Sequence, residues 1–318
     1  MPAILTVTTP FFALVLLGFL AGRLRLLPAA SIPGLNAYVL YFALPCMLFR
    51  FGASMPFAKL IDPALIGIYA LCALLVVGLT VGITLRRVGL KNAAFGALVA
   101  AFPNSGFMGV PLLVALFGDA ASGPVIGTLL VDLFLTSTLC LALAQAHGAR
   151  GDASLPVAVA RALRGAATNP QPWAIALGAL AAATSLELPG AAARVVEMLA
   201  DSASPVALFT IGAMLWRAGQ HAHTRTPVGD YLPAALIKLF VHPALVGGAG
   251  LALRASGVDV PTFGLTMLVL AAALPSASNV SLLAERHGAD DGRIARIVMT
   301  STVLAFASFT LIAWFVEA

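Results

Sequence analysis

Charge is what this chain has least of. Only 10% of its 318 residues are Asp, Glu, Lys or Arg, against 60% hydrophobic residues and a mean hydropathy of +1.00. A soluble domain has no use for so much apolar surface, so the solvent is a bilayer. Basic residues are also missing ahead of the first apolar stretch, which starts at Pro10. A cleaved leader would carry them together with a small-residue cleavage site, so this segment is expected to be retained as a span. Cysteine is scarce: Cys46, Cys72 and Cys140 fall inside apolar segments and read as small buried hydrophobes, not as disulfides or ligands. The chain has no HExxH and no GxSxG, and the one acidic pair within an expected span, Glu197 and Asp201, lies in that span's first turns, which argues against a membrane-embedded enzyme. His221 and His223 share a short loop without further ligands, so no metal and no cofactor is expected. The longest hydrophilic stretch, His147 to Arg164, is too short for a soluble domain. The net charge of +5 is loop asymmetry rather than a nucleic-acid footprint.

What is present is a series of apolar runs of about the 20 residues that a helix needs to cross a bilayer. Ten are expected: Thr8–Leu27, Ile32–Phe51, Pro63–Leu85, Asn92–Gly118, Gly123–His147, Thr168–Leu188, Arg194–Trp216, Tyr231–Ala255, Pro261–Glu285 and Ile294–Phe315. Ala, Leu, Val and Gly dominate them, which favours close helix packing. Charge counting orients the spans. With the N-terminus outside, the inner loops hold Arg23, Arg25, Arg86, Arg87, Lys91, Arg150, Arg161, Arg164, Arg217, Arg225, Arg286, Arg293 and Arg296. The outer face holds Arg50, Lys59, Arg194 and Arg254, and Lys238 lies within a span. The positive-inside rule then puts both termini outside.

The chain divides into two five-span halves, 1–147 and 168–318, joined by a linker over 148–167. An odd number of spans per half inserts the second half upside down. Landmarks recur: Ala43-Leu44-Pro45 in the second span and Ala203-Ser204-Pro205 in the seventh, Pro103 in the fourth and Pro275 in the ninth.

Pro103 and Pro275 each interrupt an uncharged segment at mid-span, Asn92 to Gly118 and Pro261 to Ala284. Proline removes a backbone donor and clashes with the preceding turn, damage that only protein or a water-lined cavity can repair in lipid. A matched pair of broken helices in corresponding halves points to a transporter's substrate site. Asn104 is placed to cap the second half of the first broken helix, and Ser276 to do the same in the other, where Asn279 follows one turn on. Helix N-termini there would hold an anion without Lys or Arg. Ser105 adds a hydroxyl, and Gly106 and Gly109 would let the two helices cross closely. The competing interpretation is a pair of plain proline kinks.

Asp132, Asp201, Lys238 and His242 fall in apolar segments, where ionisable groups normally face a cavity or a partner. Asp132 and Lys238 are expected either as a proton-sensitive coupling pair or as a structural one, with Lys238 alternatively snorkelling. His242-Pro243 reads as a local break. Glu197 and Asp201 are expected near the outer surface, and Glu285-Arg286-His287 at the inner one.

At these residues the chain resembles the auxin efflux carrier family, which includes plant PIN carriers and many bacterial permeases. The resemblance covers essentially the whole chain. It rests on Phe102-Pro103-Asn104-Ser105-Gly106-Phe107-Met108-Gly109-Val110-Pro111, on Leu35-Asn36 to Leu44-Pro45, on Lys238-Leu239, and on Leu274-Pro275 to Asn279 with Leu283-Ala284-Glu285-Arg286-His287-Gly288. It implies an all-α integral membrane fold of ten helices in two inverted five-helix repeats, with helices four and nine broken where they cross. That fold is similar to bile-acid/sodium symporters and sodium/proton antiporters. It also implies a scaffold of helices 1, 2, 6 and 7, a transport domain of helices 3–5 and 8–10, and an elevator-like motion. The partners implied are a small organic anion, the lipid bilayer, a second copy of the chain in a homodimer, and H+ or Na+ as coupling ion. The setting implied is a bacterial inner (plasma) membrane with both termini periplasmic. Plant carriers have Asn directly after the second crossover proline, where Ser276 stands here, and a long cytoplasmic loop that this chain lacks. The expectation is therefore a permease for malonate or another mono- or dicarboxylate. A sodium-coupled symporter of the bile-acid type is the alternative, and a passive channel a further one.

Overall fold

The computed structural model describes residues 2–54, 62–146, 157, 160, 163–165, 167–221 and 226–317. Lys59, His147, Arg150, Arg161, His223 and Arg225, and most of the expected linker, lie outside the described residues. The secondary structure of the described residues is helical, with no strand. In chain order the helices are α1 (Pro2–Arg23), α2 (Ala29–Ala53), α3 (Pro63–Ala101), α4 (Ser105–Phe117), α5 (Asp119–Gln145), α6 (Pro170–Thr184), α7 (Gly190–His221), α8 (Val228–Ala255), α9 (Thr262–Ala273), α10 (Asn279–Arg286) and α11 (Asp291–Glu317). Among the described residues seven of them are long and apolar enough to cross a membrane: α1, α2, α3, α5, α7, α8 and α11. The third expected span and the first half of the fourth follow each other within α3 as two helical stretches separated by a kink at Gly89, whose φ of 76° and ψ of 161° are non-helical and open to glycine.

The outside of this bundle is as apolar as its inside. Leu71, Leu75 and Leu79 stand one helical turn apart on α3, all exposed, as do Leu177 and Leu180 on α6. That surface suits lipid and not water. Helix packing inside rests on small residues. A Cβ on Gly18 of α1 would collide with the Phe209 carbonyl of α7, and one on Gly212 of α7 with the Val15 carbonyl of α1. The same reciprocal arrangement joins α2 and α6: Gly52 faces the Ile175 carbonyl and Gly178 the Phe49 carbonyl. At each crossing two backbones touch where a side chain would hold them apart.

Helices α3, α5, α8, α9, α10 and α11 pack together as a second group. One end of that group is tied by polar contacts to the backbone of helix ends and of the loop before α11. Arg293 donates from Nε to the Asp230 carbonyl (2.6 Å) and from Nη1 to the Asn92 carbonyl (2.8 Å). Asn92 accepts from the Asp290 N–H at 2.9 Å, and Lys91 donates to the Gly288 carbonyl at 2.8 Å.

Among the described residues four π turns interrupt the α ladder: Val39–Ala43, Ser105–Gly109, Asp132–Thr136 and Ile237–Val241. Three are followed within two residues by a proline, Pro45, Pro111 or Pro243. The missing proline N–H breaks the regular ladder, and a wider turn absorbs the register change. His242-Pro243 is such a place, so the helix widens there and continues instead of ending.

Candidate substrate site at the helix crossing

Between Ala101 and Ser105, and between Ala273 and Asn279, the chain leaves the helix and the two extended segments pair. Pro103 and Ser276 form an antiparallel bridge. Asn104 N–H donates to the Pro275 carbonyl (2.8 Å) and Ala277 N–H to the Phe102 carbonyl (3.0 Å). Each broken helix thus satisfies the backbone of the other, which is what makes the breaks tolerable away from water. Prolines fit there because a residue without an N–H leaves no donor to satisfy. Flanking Ala97, Ala100, Ala101, Ala271, Ala272 and Ala273 are fully buried and keep the crossing thin.

A hydroxyl from a neighbouring helix reaches each break. Thr128 of α5 donates to Ser105 Oγ at 3.4 Å, and Ser301 Oγ of α11 accepts from the Ser276 N–H at 3.2 Å. Asn104 occupies the capping position before the Ser105 turn, yet its side chain makes no capping bond; its carbonyl instead accepts from the Met108 and Gly109 N–H groups. Ser276 does not reach a capping position. The bridge holds it extended, so α10 starts only at Asn279 with Ser278 before it. The side-chain oxygens of Ser276, Ser278 and Asn279 are buried and have no hydrogen-bond partner. Gly109 does permit the close crossing, since a Cβ there would strike Leu274. Gly106 has ordinary room, with Leu44 and Leu129 side chains at van der Waals distance.

A cavity of about 810 Å³ opens beside the crossing. Its walls include Phe102, Leu98, Asn279, Val280 and Leu283 on one side and Pro33, Asn36, Ala37, Leu40 and Tyr41 of α2 on the other. Arg217, Glu285, Arg286 and His287 also line it. Of the residues singled out from the sequence, Asn279 reaches this cavity. Asn104, Ser105 and Ser276 lie in the crossing without lining it. Asn36 was named only within the stretch that carries the family resemblance and not as a site residue; its further signal was a polar amide on an otherwise apolar stretch of span two.

Asp132 and Lys238, each in a π turn and fully buried, do not form a direct ion pair. Asp132 accepts from the Tyr69 hydroxyl at 2.9 Å and from Thr136 at 3.1 Å. Lys238 donates to the Ala272 carbonyl at the C-terminal end of α9 and lies 3.5 Å from His242 Nδ1. It is therefore spent on the negative end of the broken helix and does not snorkel. The Tyr69 ring lies 5.4 Å from that of His242, which links the two groups. Asp201 is exposed and pairs with Arg50 at 2.6 Å.

A multi-pass helical bundle, with broken helices crossing beside a large polar-rimmed cavity, has the build of a membrane transport protein and not of an enzyme. The sequence model described as "Membrane transport protein" matches residues 3–313. The chain belongs to that family, in keeping with its resemblance to the auxin efflux carriers. It is 30% identical over 306 residues (95% of this chain and 92% of the relative) to a Rhizobium meliloti (strain 1021) protein named "Putative malonate transporter". It is 26% identical over 300 residues, covering 94% and 93%, to an uncharacterized transporter of Methanothermobacter thermautotrophicus. It is 25% identical over 281 residues, covering 87% and 86%, to the uncharacterized transporter YfdV of Escherichia coli (strain K12).

Proposed function

We propose that this protein is a secondary carrier of a small carboxylate in a bacterial inner membrane, built from ten spans in two inverted five-helix repeats. The observation that carries the reading is the paired crossing with unpartnered polar oxygens beside a large cavity. The repeat is supported by the glycine crossings. Gly18 and Gly178, and Gly52 and Gly212, are separated by the same sequence interval as Pro45 and Pro205. Both glycine pairs do the same work between their helices, as symmetry mates should. The group α1, α2, α6 and α7 serves as scaffold, and the remaining helices move as the transport domain.

In this mechanism the anion enters from the face bearing Arg217 and Arg286, the inner face by the positive-inside rule. The first turn of α10 and the Asn279 amide bind the carboxylate. Asn104, Ser105 and Ser276 serve the same substrate from the other side of the crossing once the transport domain has shifted. Pro103, Pro275 and Gly109 keep the crossing rigid and thin, and Gly106 faces the scaffold without bulk. Asp132 and Lys238 move with the transport domain as its coupling or charge-balancing pair. Both termini are periplasmic, and the chain works as a homodimer. A malonate relative among its similar proteins favours a small dicarboxylate.

The test is uptake of radiolabelled malonate into proteoliposomes with imposed proton or sodium gradients. Saturable flux, lowered at least about tenfold in kcat/KM by Asn279→Ala, is expected. Flux without saturation would establish a channel. Strict dependence on sodium would favour the bile-acid type of symport.

A further inference from the structure

The cavity has a polar wall that the crossing does not supply. Asn36 of α2 is buried, 6% exposed, lines the cavity, and its side-chain oxygen has no hydrogen-bond partner. Asn279 of α10 lines the same cavity, and its oxygen is likewise buried and unpartnered. Leaving a buried amide unmatched is costly, and native structures seldom keep one without a use. Two such amides in one cavity, on helices from two different packing groups, call for a shared partner.

Their depth agrees. Asn36 comes seven residues after the start of α2 at Ala29, and Asn279 seven residues before the end of α10 at Arg286. At 1.5 Å per residue, each lies roughly 10 Å from its own helix end at the face bearing Arg23 and Arg286. Between them the walls are mainly apolar, Leu40, Leu98, Phe102 and Leu133, and the Ser137 hydroxyl that also lines them donates to the Asp132 carbonyl. Arginines belong to the rim, at the ends of α7 and α10. What a ligand meets at the level of the crossing is therefore a pair of neutral amides in apolar surroundings. Each can turn its NH2 toward an anion by a half-rotation of its last torsion.

We infer that Asn36 is the substrate contact contributed by the scaffold, so that the carboxylate held at Asn279 is bound between two amides on opposite helix groups. This rests on the carboxylate-carrier reading and adds to it a residue outside the crossover. It also has a mechanistic consequence. A contact made across the two groups is lost when one slides past the other, so Asn36 strengthens binding from one side of the membrane only.

The experiment compares wild type, Asn36→Ala and Asn36→Asp in detergent and in proteoliposomes. Thermal stabilisation by malonate and by a panel of other mono- and dicarboxylates gives affinity, and flux gives KM and kcat. Asn36→Ala should raise Kd and KM at least about tenfold with the unliganded melting temperature unchanged. Asn36→Asp should lose anion stabilisation altogether, because it opposes one carboxylate with another. Affinity equal to wild type in both variants overturns the inference and leaves the carrier reading standing. So does a lowered unliganded melting temperature with affinity intact, which would mark Asn36 as structural. If Asn36→Ala does not fold, Asn36→Ser gives the same comparison. Failure of every carboxylate to stabilise the wild-type protein overturns the carrier reading, and the inference with it.

Discussion

Gly212→Ala should destabilise the bundle by about 3 kcal/mol or more, near the upper end of the cost of overpacking. A methyl group at this position would occupy the place of the Val15 carbonyl and press on the Phe19 N–H. Both are backbone, so no rotamer change relieves the clash; α1 and α7 must separate along their whole contact. Gly52, its counterpart in the proposed repeat, meets backbone in the same way, at the Ile175 carbonyl and Ala179 N–H, and Gly52→Ala should behave alike. Gly78→Ala is the internal control. Nothing lies within 4 Å of a Cβ there, so ordinary helix propensity should make the change neutral or stabilising by about 0.5–1 kcal/mol. Thermal unfolding in detergent followed by size-exclusion homogeneity reads all three. A Gly212→Ala protein that melts with the wild type would mean that α1 and α7 do not touch as described.

The two glycine crossings also explain why the helices sort into groups. Backbone-to-backbone contact leaves no side-chain layer to rearrange, so α1 with α7, and α2 with α6, form rigid pairs. The facing surfaces of the other group are different. Where α2 meets the cavity, Leu40, Tyr41, Leu98 and Leu133 line a common open space. Side chains of that sort can slide over an opposing wall; crossed glycines cannot. Under the carrier mechanism proposed above, the moving interface and the fixed one would be built from different residue types in the same bundle.

Composition and charge made the membrane class legible, because burial in lipid has few sequence solutions. Pro103 and Pro275 were legible as breaks for the same reason: proline is informative wherever every N–H must be satisfied. What the breaks do with their backbone was not. The bridge between Pro103 and Ser276 is a contact between distant residues, and no local pattern encodes it. That contact, not the capping preference of serine, sets where α10 begins. The division of α3 was legible: the helix breaks at Gly89, with φ 76° and ψ 161°, in the short stretch between Arg87 and Lys91 where the charges place the boundary between two spans. Asn36 escaped because a lone amide in an apolar run looks like any other; only the opposing wall of the cavity gives it meaning.

Lys238→Met should cost the fold about 1–3 kcal/mol through the buried Ala272 carbonyl it leaves without a donor, together with an electrostatic part that Asp132→Asn made in the same chain should recover. Both groups are fully buried, and no direct ion pair joins them. Lys238 also holds the Ala272 carbonyl, at the negative end of α9. Methionine fills a similar volume but leaves the Asp132 carboxylate and that helix end without a neutralising charge in a medium that screens poorly. The side-chain amide that replaces the Asp132 carboxylate in the double variant can still accept from the Tyr69 hydroxyl. The hydrogen bonding seen at Asp132 thus largely survives while the charge problem disappears. A double-mutant cycle on melting temperature, with interaction energy above about 1.5 kcal/mol, is the expected result. Simple addition of the two single effects would mean that the groups do not compensate each other. The folded double variant then separates structure from transport. If it carries substrate with wild-type ion dependence, the pair only balances charge within the moving helices. If it binds substrate yet no longer responds to an imposed proton or sodium gradient, the pair is where the driving ion is read.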